Sequence, residues 1–119
     1  RKGVCGNRNS AVNAVSDCDW VMFVDDDICV EPYFIAKALE AYAQLPERDR
    51  DRIILTGVSR DQYDRESHPG KLNFRGYFCA SRIPEAVVIH AAVFPLSLFR
   101  EEQWDENIFF GYEDAELSL

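Results

Sequence analysis

Apolar positions recur along this chain in two rhythms, one helical and one extended. Ala11, Val12, Ala14 and Val15 fall at helical spacing, and Asn9 or Ser10 can cap a helix over 9–15. Trp20-Val21-Met22-Phe23-Val24 is an unbroken apolar run of strand formers, the pattern of a strand buried on both faces, and it ends at Asp25-Asp26-Asp27. Pro32 suits the first turn of a second helix that reaches about Leu45 and stops at Pro46. Phe34, Ile35, Ala38, Leu39, Tyr42 and Ala43 recur in it every three to four residues and predict a core-facing stripe. The charged stretch 47–52 is expected as a solvated loop, and Ile53–Val58 as a second strand. Residues 59–84 are irregular, polar and aromatic, either a long loop or a β-excursion. Val87–Phe94 predicts a third strand, Pro95 a short helix to about Gln103, and Asp114 the start of another helix. Strand and helix alternate, so the expected class is α/β, with a mostly parallel sheet flanked by helices.

Composition narrows the partners. Of 119 residues, 47% are hydrophobic and 13% aromatic, which argues for a folded chain, and the net charge is −8. That charge disfavours nucleic acid and anionic lipid, which are bound by clustered Lys and Arg. It also makes a divalent cation the natural intermediary to any anionic substrate. No apolar run approaches the roughly 20 residues that cross a bilayer. Cys5, Cys18, Cys29 and Cys79 form no CxxC pair and have no His at zinc spacing, so free buried thiols in a reducing compartment are expected. The opening Arg1-Lys2-Gly3 without Met, and the ending inside a helical pattern, lead us to expect an excerpt of a longer chain.

Three stretches carry candidate chemistry. In an extended chain Asp25 and Asp27 project to one side and Asp26 away, so Asp25 and Asp27 can offer Mg²⁺ or Mn²⁺ two oxygens and leave places for water and phosphate. An acidic loop leading into the next helix fits the same triplet. In Trp104-Asp105-Glu106-Asn107-Ile108-Phe109-Phe110-Gly111-Tyr112-Glu113-Asp114, carboxylates sit among bulky aromatics, where partial burial raises a carboxyl pKa towards proton-transfer range. A helix start at Glu113 and Asp114 is the plainer account. Arg8, ahead of the first helix, can hold a phosphate or stay solvated. His90, inside an apolar strand, is either a contact to ligand or a hydrogen-bonded core residue.

Together these stretches resemble the family 2 glycosyltransferases, enzymes of the GT-A fold. Gly6-Asn7-Arg8-Asn9-Ser10-Ala11-Val12 is similar to that family's Arg-Asn helix start. Phe23-Val24-Asp25-Asp26-Asp27-Ile28-Cys29-Val30-Glu31-Pro32 is similar to its Asp-x-Asp strand end. The block from Trp104 to Leu117 is similar to its Phe-Asp-Glu … Gly-x-Glu-Asp-x-Asp-Leu block, with Trp104 in place of Phe. The resemblance implies that Asp27, with Asp25 sharing the ion or touching the ribose, holds Mg²⁺ or Mn²⁺ on the diphosphate of a nucleotide-sugar, a UDP-sugar being the commonest donor. Arg8 and Asp26 would lie beside the nucleotide. Asp114 would be the general base that deprotonates the acceptor hydroxyl for inverting attack, and Glu113 would orient it. His90, Trp104 and Tyr112 become candidate contacts to a sugar or lipid-linked acceptor. The family's first two strands and the segment after the base have no counterpart here, so 1–119 is expected to be a partial catalytic domain, inactive alone. Its parent would act in cell-surface polysaccharide synthesis, in the cytoplasm or peripherally at the inner face of the membrane.

Two other classes fit parts of the pattern. A Mg²⁺-dependent sugar-nucleotide nucleotidyltransferase would also place carboxylates at a strand end, but would bring a glycine-rich phosphate loop, which this sequence does not display. A non-catalytic metal- or carbohydrate-binding module would need the acidic triplet and aromatics without the base.

Overall fold

A computed structural model describes residues 3–108 and residue 117. Helix α1 (Gly3–Asn13) leads to strand β1 (Trp20–Met22), then helix α2 (Phe34–Ala43) and strand β2 (Leu55–Thr56). Two small hairpins follow, β3 (Ser59–Arg60) with β4 (Glu66–Ser67), and β5 (Gly70–Leu72) with β6 (Phe78–Ala80). Strand β7 (Ala92–Pro95) and helix α3 (Leu98–Glu101) complete the described elements. The class is mixed α and β.

The sheet differs from the expected one. Its order is β1-β7-β2, and both outer strands pair antiparallel with β7, Met22 facing Val93 and Thr56 facing Ala92. The alternation did foreshadow one relation: β1 and β2 run the same way, joined through α2. What it missed is that the chain returns from β2 through two hairpins rather than a helix, and an antiparallel strand needs no crossover. Every described strand pairing is antiparallel, so the mostly parallel sheet is not what these residues build. The third strand is also shorter than the run Val87–Phe94. Ile89–Ala91 turns as a 3-10 helix, and only Ala92–Pro95 is extended, fully buried and central. Pro95 closes that strand instead of opening α3.

Helix α1 begins well ahead of 9–15. Its buried residues Cys5, Asn9 and Val12 make a regular helical stripe, which the poor helix formers Gly6, Asn7 and Asn9 disguise in sequence. Asn9 is therefore mid-helix, not a cap, and Ser10 Oγ donates to the Gly6 carbonyl at 2.7 Å. Helix α2 lies where expected, but none of its residues is buried, and Ile35 and Leu39 stay 42% and 40% exposed. Its stripe is only half-covered. The stretch 47–52 is a 3-10 turn rather than a free loop, and it caps α2. Arg50 folds back from it to donate to the carbonyls of Ala43 (3.0 Å) and Leu45 (3.2 Å).

The core gathers where α1, β7 and α3 meet, around Cys5, Val12, Phe94, Phe99 and Trp104. Phe99 stacks on Trp104 at 5.1 Å, and Phe23 meets Trp104 edge-on at the same distance. Only Cys5 of the four thiols is buried. Cys18 and Cys29 are exposed and Cys79 half-buried, and none of the four is in a disulfide, which corrects the expectation of buried thiols.

Candidate functional site

The first described feature of the site is the end of β1. The strand stops at Met22, and Asp25-Asp26-Asp27-Ile28 forms a tight turn closed by the Ile28 N–H donating to the Asp25 carbonyl at 3.2 Å. The two-residue alternation that aimed Asp25 and Asp27 to one side therefore does not apply: the triplet is a turn, not a strand. All three carboxylates are exposed to water.

Beyond that turn lies a cavity of about 470 Å³, and Asp27 lines it. His90 also lines it, half-buried in the 3-10 turn before β7, with Nε2 3.1 Å from Ser59 Oγ at the start of β3. Ser59 and Arg60 come from a segment with no periodic signal, so nothing in the sequence marked them. Met22, Phe34 and Val58 make part of the wall apolar. An apolar wall with a few convergent polar groups is the usual build of a small-molecule site. A larger hollow of about 540 Å³ runs between β2 and the second hairpin; it includes His68 and Arg82 but no carboxylate, so the acidic chemistry belongs to the first.

Arg60 brings positive charge to the cavity, but it is already engaged. Its Nη2 sits 2.7 Å from Glu66 Oε1, and Asp64 lies 3.8 Å from Nε. The hydrogen bond and charge of Glu66 raise the Arg60 pKa, and reciprocally Arg60 holds Glu66 below the usual carboxylate range, with His68 at 2.9 Å adding to the effect.

The second feature joins the other two stretches. Asn9 is the buried polar side chain among the described residues, 4% exposed. Its Nδ2 donates to the Trp104 carbonyl at 2.9 Å and to Glu106 Oε1 at 3.2 Å, while its Oδ1 accepts from the Trp104 N–H at 3.1 Å. A primary amide thus pairs with both backbone groups of one residue 95 positions away. Arg8, one step back on the helix, lies 5.8 Å from the Phe23 ring centroid and 5.7 Å from the Trp104 ring. Arg8 and Asn9 in the middle of α1, Phe23 just past β1, and the Trp104 segment are therefore neighbours.

Trp104 itself is not placed to stack on a sugar. Trp104 is 2% exposed inside the aromatic cluster, and among the described residues its Nε1 has no hydrogen-bond partner. Its sequence role as an acceptor contact gives way to a core role. Tyr112, Glu113 and Asp114 lie outside the described residues. Among the described residues no group of three or more His, Cys, Asp or Glu converges to hold a metal, and no helix is long and apolar enough to cross a membrane. Comparison of the chain with protein-family models, with curated proteins and with solved structures finds no match.

Proposed function

We propose that the chain is the metal- and donor-binding part of an inverting glycosyltransferase that uses a nucleotide-sugar. The observation that carries this reading is the meeting of three distant stretches, with Asn9 tied to Trp104 and Arg8 over the paired rings of Phe23 and Trp104. Those stretches are the ones on which the resemblance rests. Asp27 and His90 on one cavity add a place where a sugar ring could meet both an apolar wall and hydrogen-bonding groups.

The residues fit a particular kind of metal site. Mg²⁺ is usually held by one or two carboxylates, with water and substrate phosphate filling the remaining positions. Asp27 and Asp25, in a water-exposed turn with no third protein ligand among the described residues, suit an ion that arrives with a diphosphate, and do not suit a permanently bound one. The ion would neutralise the departing nucleoside diphosphate. On this reading Asp27 is the main ligand, Asp25 shares the ion or touches the ribose, Arg8 and Asp26 border the nucleotide, and His90 contacts sugar hydroxyls. Glu113 and Asp114 keep the roles that the resemblance implies, base orienter and general base.

The test is Mn²⁺ binding followed by electron paramagnetic resonance, with and without uridine diphosphate. Binding should be weak with Mn²⁺ alone, tighten at least tenfold with the nucleotide, and be lost in Asp27→Asn. Nucleotide-independent binding, or an Asp27→Asn protein that binds as well as wild type, refutes the reading. In the parent enzyme Asp114→Asn should keep the nucleotide and Mn²⁺ while abolishing transfer.

A further inference from the structure

The chain is acidic overall, yet its charge is segregated. From Gly70 to Pro84 there are three cations, Lys71, Arg75 and Arg82, and no carboxylate. The chain carries −8 and this segment +3, so the remainder carries −11. The segment is the β5–β6 hairpin and the loop that leaves it, with Lys71 opposite Cys79 and Leu72 opposite Phe78. Glu85 follows at its foot, its N–H bonded to the Gly70 carbonyl.

The same fifteen positions hold side chains that the fold leaves in water. Phe74 is 92% exposed, Ile83 78%, Tyr77 65% and Phe78 53%. Rings that serve this protein's core are buried, as Phe94, Phe99 and Trp104 are. The tip is a built turn: Asn73 N–H donates to the Tyr77 carbonyl at 2.9 Å, Asn73 Oδ1 accepts from the Arg75 and Tyr77 N–H groups, and Gly76 takes φ +78°. That turn holds Phe74 and Arg75 outward together, the guanidinium 5.1 Å from the ring centroid.

We propose that the β5–β6 hairpin docks the protein onto an anionic lipid surface. Phe74, Tyr77 and Phe78 would enter the headgroup boundary, while Lys71, Arg75 and Arg82 keep their charges among lipid phosphates. The inference does not depend on the glycosyltransferase reading. The local charge reverses the exclusion drawn from the overall balance: beyond about 8 Å in physiological salt the acidic body is screened, and the hairpin with its exit loop meets the surface as a cationic segment. Lipid fits better than the other polyanions. A nucleic acid is bound along an extended track of cations, not by the three of one hairpin and its exit loop in a strongly acidic body. A neutral sugar polymer stacks on open ring faces and gains nothing from Lys71, Arg75 and Arg82 around them, whereas an anionic lipid surface uses both the rings and the charges.

Co-sedimentation tests this with vesicles of phosphatidylcholine alone and of equal parts phosphatidylcholine and phosphatidylglycerol. Wild type should bind the mixed vesicles, not the neutral ones, and more weakly as salt rises. Removing three surface cations in Lys71→Gln/Arg75→Gln/Arg82→Gln should weaken binding on the order of a hundredfold. Phe74→Ser/Tyr77→Ser should weaken it independently. Both variants alter only exposed side chains, and circular dichroism matching wild type verifies their fold. No binding, equal binding to the two vesicles, or an unweakened charge variant overturns the proposal. Capture by polyuridylate or dextran sulfate without vesicle binding overturns it in favour of a different polyanion.

Discussion

Replacing Asn9 by Ala should be among the most destabilising single changes in α1. The substitution keeps the helix, since Ala is the better helix former, so the loss comes from the clamp. It orphans the Trp104 N–H and carbonyl, which among the described residues pair only with the Asn9 amide at 3.1 and 2.9 Å. Trp104 is 2% exposed, so water does not readily replace the amide. A buried backbone group left without a partner costs about 1–3 kcal/mol, and two of them set the expected loss at about 3 kcal/mol after the helix-propensity gain. The third bond, to Glu106 at 3.2 Å, reaches a more exposed carboxylate and adds little.

Urea denaturation followed by tryptophan emission measures this. With a slope of roughly 1.5–2 kcal/mol per M for a chain of this size, the midpoint should fall by about 1.5–2 M. An internal control lies beside the clamp: Gln103 Nε2 donates to Asn13 Oδ1 at 3.0 Å between the same two elements, but in the open. Gln103→Ala should change stability by no more than about 0.5 kcal/mol. Should Asn9→Ala lose less than about 1 kcal/mol, or no more than Gln103→Ala, burial does not govern the clamp and the reasoning fails. Asn9→Asp sharpens the test. It keeps an acceptor for the Trp104 N–H but turns a carboxylate oxygen towards the Trp104 carbonyl and Glu106, so it should be at least as damaging at neutral pH.

Three further outcomes follow from local geometry. Arg50→Ala uncaps α2 and should lower the melting temperature by about 2–5 °C, read by calorimetry. An added Cβ at Gly70 would run into the Cys79 backbone carbonyl, whereas at Gly76 it meets open space but a φ of +78°. Gly70→Ala should therefore cost about 2–3 kcal/mol against about 1 kcal/mol for Gly76→Ala, compared in thermal melts. Glu66 should titrate below the ordinary 4.5 because of its hydrogen bond with Arg60. A lowered folded pKa contributes stability above pH 4.5 that is lost as pH falls through the folded value, and an NMR titration of Arg60→Gln should return Glu66 towards 4.5.

How much was legible follows from which signals are local. β1 and α2 were visible because apolar runs and helical periodicity act over a few positions, whereas 59–84, with no such period, stayed open between a long loop and the β-excursion that it is. The burial of α2 was not, since periodicity marks a face without saying what covers it; Ile35 and Leu39 remain partly in water. The clamp was unreadable for a different reason. An Asn at the head of an apolar stretch looks like a cap, and only the tertiary approach of Trp104 turns it into a buried amide pair. The same holds for the Asp triplet, where a run of strand formers suggested extended geometry as far as Asp27, but β1 ends at Met22 and the chain turns at Asp25–Ile28.

The misjudged sheet direction is also what builds the cavity. Strand β7 runs against both neighbours, so its first residues lie beside the last residues of β1 and β2: Val93 faces Met22, and Ala92 faces Thr56. The amino end of one strand thus shares an edge of the sheet with the carboxyl ends of two others. His90, just before β7, is thereby brought to Ser59, just after β2, and onto the same cavity as Asp27, just after β1. Had β7 run parallel, as the alternation of strands and helices implied, His90 would open at the far edge, about 10 Å away for strands of three to four residues at about 3.3 Å each. Asp27 would then face a cavity without His90. Two sequence features that were separately weak, a lone histidine and the last residue of a short acidic run, come to line one cavity through a strand direction that local periodicity does not encode.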